Sequence, residues 1–159
     1  VKLELSSDKE EEIRRLIVEL RVLEATEEAL HSRIGWVNAA ITELTLSKMT
    51  LEGIEKEPPN ASLFVPVGGG SYVKAKLENP DLVIVGMGAG VAVEKTLKEA
   101  KEILEERLKD LEKTKTVLQS QLAEVSERIR EDRIKLQELS EKINLRGALS
   151  DVRKAKSGT

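Results

Sequence analysis

Apolar residues recur along the first third of the chain at alternating steps of three and four. With Ile13 at heptad position a, that position falls on Ile13, Leu20, Glu27, Ile34, Ile41 and Lys48. Position d falls on Leu16, Leu23, Leu30, Val37, Leu44 and Leu51, all of them aliphatic. An unbroken run of this kind predicts a helix with one narrow apolar stripe, the pattern of a coiled coil. Ser7 and Glu10 have the spacing of a capping box and predict the helix start. Gly53, followed by Pro58-Pro59, predicts its end. Gly35 inside this helix costs about 1 kcal/mol relative to Ala. Trp36 falls at position c, off the seam, where it either packs on another subunit or lies flat along the helix.

The last third repeats the pattern. Position d falls on Leu97, Leu104, Leu111, Leu118, Val125, Asp132 and Leu139, and position a on Lys101, Leu108, Lys115, Leu122, Ile129, Leu136 and Ile143. No proline interrupts the run, and Gly147 is its expected stop. Each helix would be roughly 65 to 80 Å long at 1.5 Å per residue, too long for a compact domain of this size. Each carries a narrow seam that needs one partner. Their similar lengths favour the other helix folded back antiparallel, over a parallel dimer. Glu27, Lys48, Lys101, Lys115 and Asp132 interrupt the seam. Most are expected near solvent. Polar seam residues can also set register at some cost in stability.

Between the helices the period changes to two. LFVPV (63–67), GGG (68–70) and SYVKAKL (71–77) read as a hairpin, with Tyr72, Lys74 and Lys76 alternating against Val73, Ala75 and Leu77. Asn79-Pro80-Asp81 makes the next turn, and LVIV (82–85) with VAV (91–93) forms a second hairpin. Pro66 cannot donate to a ladder, so the first strand is an edge or is bulged there. Gly86 can permit either a bulge or close packing of strands. The expected division is therefore residues 1–57 (helix), 58–93 (hairpin insert), 94–147 (helix) and 148–159 (flexible tail).

Composition narrows the picture. Of 159 residues, 40% are apolar and 35% charged, and the only aromatics are Trp36, Phe64 and Tyr72. Aromatics supply much of the buried area of compact cores, so aliphatic seams must do that work here. With no cysteine, disulfides, thiolate metal sites and a Cys nucleophile are excluded, and the single histidine, His31, cannot build a metal site alone and suggests no Ser–His–Asp geometry. No stretch approaches the roughly 18 to 20 apolar residues that span a bilayer. VKLELSSDKEEE lacks the basic flank and apolar core of a secretion signal, so a cytoplasmic protein is expected.

The glycines of LVIVGMGAGVAVEK (82–95) raise the question of a phosphate loop. A dinucleotide site needs GxGxxG between a strand and a helix N-terminus. Here the glycines are followed by strand-like VAV, no GxxxxGK[ST] occurs, and neither an enzyme nor a cofactor is implied. The basic residues Arg146, Arg153, Lys154 and Lys156 lie in an acidic chain without a nearby aromatic, so nucleic acid is not an expected partner, and neither is a membrane.

Two short hairpins with apolar edges are marginal alone and invite pairing, so other chains are expected to close the sheet. VPVGGGSYVKAKL and VIVGMGAGVAVEK, set between two long heptad helices, resemble the α-class subunits of prefoldin. The resemblance is most specific in Val65-Pro66-Val67-Gly68, Gly88-Ala89-Gly90 and Val93-Glu94-Lys95, and Val91 departs from the aromatic found in many members. It implies an α+β chain: a long antiparallel two-helix coiled coil flanking two hairpins that join an oligomeric β-barrel body. It further implies a hexamer of two α-class and four β-class subunits. Such a particle captures unfolded polypeptides without ATP and passes them to a group II chaperonin. The residues expected to build the body are Leu63, Phe64, Val65, Val67, Tyr72, Val73, Leu82, Val83, Ile84, Val85, Val91 and Val93.

Antiparallel folding would bring Leu3 and Leu5 together with Leu145, Ala148, Leu149 and Val152 at the free tip. Apolar contact is non-directional, so a loosely packed apolar tip can hold many client sequences. The rival expectation is a coiled-coil scaffold or tether with no client.

Overall fold

The computed structural model describes residues 4–156, with side chains over 9–145. The elements in chain order are α1 (Glu4–Ile54), β1 (Ser62–Gly68), β2 (Ser71–Lys76), β3 (Leu82–Gly88), β4 (Val91–Thr96) and α2 (Leu97–Lys156). Two long helices thus flank two hairpins, an α+β arrangement. Contacts divide the chain into two units, Val1–Gly35 with Thr116–Thr159, and Trp36–Lys115.

The heptad register holds in both helices. Every a and d residue from Ile13 to Leu51 and from Leu97 to Ile143 is buried or half-buried. In the first unit Glu19 accepts from Arg128 at 2.9 Å and Glu27 from the Ser126 hydroxyl at 2.6 Å, so α1 ascends as α2 descends. Arg133 donates to Glu24 at 2.7 Å on the same pair. In the second unit Lys48 lies 3.3 Å from Glu105, and Lys101 bonds Glu55, again with opposite chain directions. Exposed ion pairs of this kind contribute only about 0–1 kcal/mol each. Their value lies in register, because a slipped seam would separate the partners of Glu27, Lys48 and Lys101.

Asp132 departs from the expectation of a solvated seam charge. It is 3% exposed at a d position, and its Oδ2 has no hydrogen-bond partner among the described residues. Arg128, one turn back on α2, approaches Oδ1 at 3.6 Å while remaining mostly exposed. A short side chain cannot snorkel as lysine does, which is why the seam encloses it. The hydrogen bond to Glu19 and the nearby Asp132 hold the Arg128 guanidinium even more firmly protonated than usual.

The helix ends differ from those expected. Backbone helix begins at Glu4, upstream of Ser7, so Ser7 and Glu10 are not the start signal. Helix α1 ends at Ile54 with Gly53 inside its last turn, and the chain leaves through turn bonds from Lys56 to Gly53 and Glu57 to Ile54. Strand β4 continues through Thr96, so α2 starts at Leu97 rather than 94. Its start is a capping box that the heptads conceal. The Glu99 amide donates to the Thr96 hydroxyl at 3.2 Å, and the Glu99 carboxylate accepts from the Thr96 amide at 3.0 Å and from its hydroxyl at 2.9 Å. The Leu97 amide is satisfied by the Asp81 carbonyl at 2.8 Å. At the other end the helix passes through Gly147 and runs to Lys156, beyond the expected boundary and into the expected tail. A single glycine costs a helix about 1 kcal/mol and does not by itself stop it.

The Thr96 amide, then its hydroxyl, then Lys95 hold the Glu99 carboxyl below its usual value of 4.5. The resulting stabilisation is present above the unfolded value and is lost as pH falls through the lower folded value. Carbon-13 titration should place the Glu99 midpoint below 4.5, and Thr96→Ala should raise it while costing about 0.5–2 kcal/mol. Asp132→Leu should raise the unfolding free energy of the chain by about 1–3 kcal/mol in chemical denaturation, because a well-packed apolar side chain replaces a buried unsatisfied carboxylate.

Candidate assembly and client-binding surfaces

The hairpins are two copies of one design. In the first, Leu63 pairs with Ala75, Val65 with Val73 and Pro66 with Tyr72, and a bulge separates Pro66 from Gly68. In the second, Val83 pairs with Lys95, Val85 with Val93 and Gly86 with Ala92, and the bulge lies between Gly86 and Gly88. The bulges expected at Pro66 and Gly86 are therefore where the register shifts. Each turn has two central residues with positive φ, Gly69 (56°) with Gly70 (75°) and Ala89 (50°) with Gly90 (76°). Positive φ at both centres is the hairpin turn that matches strand twist. The glycine run thus closes a hairpin and leads into a strand, with no helix N-terminus behind it.

Side-chain alternation distributes the apolar residues over both faces. One face of the first hairpin carries Leu63, Val65, Val73 and Ala75, and the other carries Phe64, Pro66, Tyr72 and Lys74. In the second, Val83, Val85, Val93 and Lys95 oppose a face with Leu82, Ile84, Ala92 and Glu94. The chain covers little of this. Val85 is buried and Leu63 and Val83 are half-buried, so these three pack within the chain. Phe64 is 70% and Ile84 75% exposed, and Val65, Val67, Tyr72, Val73, Leu82, Val91 and Val93 are exposed as well.

The two hairpins are separate two-stranded sheets, so each strand also presents an edge without a strand partner among the described residues. Two strands with apolar side chains on both faces are marginal in water. Contiguous apolar surface of this kind marks an interaction site.

Two contributors went unseen in the sequence. Met87, at the second bulge, is exposed beside the apolar residues expected for assembly. Arg107 of α2 donates to the Gly86 carbonyl at 2.8 Å, tethering that bulge to the helix. No sequence pattern links Arg107 to Gly86, which lie on different elements.

Five of the six residues expected to hold clients, Leu5, Leu145, Ala148, Leu149 and Val152, lie near the ends of the two helices in the first unit. Leu145 is exposed on α2. Leu5, Ala148, Leu149 and Val152 are on helical backbone, with side chains outside the described part, and Leu3 lies outside the described residues. The antiparallel pairing of Glu19 with Arg128 and Glu27 with Ser126 runs the start of α1 and the end of α2 toward the same end of this unit. Among the described residues no cluster of His, Asp or Glu is arranged to hold a metal ion. No described helix is long and apolar enough to cross a membrane.

The family model described as "Prefoldin subunit" matches residues 23–142, which take in both hairpins and most of both seams. The chain is 34% identical over 132 residues to "Prefoldin subunit alpha" of Pyrococcus horikoshii, covering 82% of this chain and 89% of that one. It is 36% identical over 104 residues to the protein of the same name from Methanopyrus kandleri, covering 65% of this chain and 66% of that one. Among solved structures, it is similar to the filamentous PFD of Methanocaldococcus jannaschii, with 30% identity, a TM-score of 0.63, and coverage of 70% of this chain and 93% of that one. The prefoldin beta subunit from Thermococcus strain KS-1 matches with a TM-score of 0.53 at 19% identity, covering 80% and 90%, a likeness of fold alone.

Proposed function

The chain belongs to the prefoldin family as a non-enzymatic chaperone component, and from that premise we propose that it is an α-class subunit that captures unfolded polypeptides without ATP and delivers them to a group II chaperonin. Membership carries assembly with other prefoldin subunits. In the proposed particle two copies join four β-class subunits, and their hairpins close a β-barrel body in the cytoplasm. The presence of two hairpins, where β-class subunits carry one, supports the α-class reading, as do relatives named for the alpha subunit.

The observation that carries the assembly reading is the pair of separate sheets with Phe64, Tyr72, Leu82 and Ile84 in solvent. A scaffold built on the a/d seam has no need of two such hairpins. Clients are proposed to bind at Leu3, Leu5, Leu145, Ala148, Leu149 and Val152, the apolar residues of the two ends of the sequence. Unfolded chains expose apolar groups in no fixed order, and non-directional apolar contact suits them. Likeness to a filamentous relative favours a second reading, in which the same hairpins assemble copies of this chain alone.

Native mass before and after mixing with a β-class subunit separates these readings. Entry into a six-chain particle is expected. A mass unchanged by mixing would support the scaffold, and long homopolymers would support self-assembly. In the mixed particle, removal of residues 1–7 and 145–159 should leave the mass of the body intact while abolishing ATP-independent suppression of client aggregation. Full suppression by the truncated particle would place client capture elsewhere.

A further inference from the structure

The two hairpins share one register but not one environment. Val65 and Val85 hold equivalent positions, each opposite a valine of the neighbouring strand, Val73 and Val93. Val85 is 8% exposed, whereas Val65 is 46% exposed. The second hairpin is therefore covered on one face almost out to its bulge. The first is covered only near its base, where Leu63 and Ala75 are half-buried.

The connections account for this difference. Strand β4 ends at Thr96 and α2 begins at Leu97, so nothing separates hairpin from helix. The Leu97 amide donates to the Asp81 carbonyl at 2.8 Å, which closes the base of β3 onto the helix start. A bulge interrupts the ladder locally, so backbone groups there draw on partners elsewhere. Arg107 supplies one, donating to the Gly86 carbonyl at 2.8 Å. Leu97 and Arg107 lie about 15 Å apart along the helix, and Asp81 and Gly86 about 17 Å apart along the extended chain. Two pins at matched spacings lay the second hairpin alongside α2. The first hairpin instead leaves α1 through residues 55–61 and reaches β3 through 77–81. Its base bonds, from the Asn60 amide to the Leu77 carbonyl and from the Leu77 amide to the Ala61 carbonyl, tie these two connections to each other. Among the described residues no hydrogen bond joins β1 or β2 to a helix.

We propose that Arg107 is a positioning residue for assembly: it presets the second hairpin along α2, so that this hairpin takes the first pair of strands supplied by another prefoldin subunit, and the unpinned first hairpin docks afterwards. The inference rests on the assembly reading above. The face that Arg107 leaves outward carries Leu82 and Ile84, 40% and 75% exposed, and fits a partner strand that is apolar on its facing side. A preset surface loses less conformational freedom on binding than one that must first be ordered, so it captures its partner sooner. The first hairpin has no second pin to break and can adjust to close the remaining gap.

Hydrogen exchange and association kinetics of the full chain test this. In the chain alone, amides of β3 and β4 should exchange about tenfold more slowly than their counterparts in β1 and β2, the size expected of one charge-assisted hydrogen bond. Arg107→Ala should abolish that contrast and leave seam amides around Leu118 unchanged. On mixing with β-class subunits, followed by light scattering, Arg107→Ala should slow association about tenfold with the final native mass and the dissociation rate unchanged. Arg107→Lys, which keeps a donor, should recover most of the rate. A merely structural role would instead lower helix content or speed dissociation in Arg107→Ala, and either result would overturn the proposal. Equal protection of the two hairpins in the wild-type chain, or association of Arg107→Ala at the wild-type rate, would overturn it as well. A wild-type chain that enters no particle would overturn the assembly reading itself, and this inference with it.

Discussion

Thin apolar stripes are the constraint from which this structure follows. With three aromatics in the whole chain, no thick core is available, and burial must come from aliphatic residues lined up in register. A single a/d stripe on each helix is enough to hold one neighbour and no more. The antiparallel pairing of α1 with α2 satisfies both stripes in each unit, and the cross-helix bonds of Glu27, Lys48 and Lys101 keep them from sliding. Asp132 shows the limit of that economy, since one buried carboxylate takes a layer that leucine would fill better.

The hairpins face the same shortage without a solution inside the chain. Two strands cannot cover two apolar faces, and the helices bury only Val85 fully. Bulges and tight turns shape each hairpin, and Arg107 anchors the second to α2. What remains exposed has to be covered by other chains. That physical need links the fold to its family: a subunit whose assembly elements are incomplete, carried between two long helices in the sequence.

Much of this was legible because periodicity is a direct trace of burial. Residues such as Leu16, Leu30, Leu104 and Leu118 sit where the heptads put them, and the strand alternation around Val65 and Val85 is equally plain. The misreadings concern ends. Gly53 marks the end of α1 to within a residue, whereas α2 runs through Gly147, because glycine terminates a helix where the backbone turns left-handed and sequence does not disclose φ. Ser7 with Glu10 and Thr96 with Glu99 share one spacing, and only the second is a cap, because β4 delivers Thr96 in extended conformation directly before α2. The Arg107 tether and the burial of Asp132 depend on which elements meet in three dimensions, which no local pattern encodes.

Everything above requires that β1–β4 be completed by other chains. Amide hydrogen exchange of the full chain, alone and in the particle formed with β-class subunits, tests it directly. Amides of Ser62–Gly68, Ser71–Lys76, Leu82–Gly88 and Val91–Thr96 should gain at least a hundredfold protection on assembly, about 2.7 kcal/mol, while seam amides around Leu20 and Ile129 change little. Strands equally protected in both states would show that the hairpins are complete without partners and would contradict it.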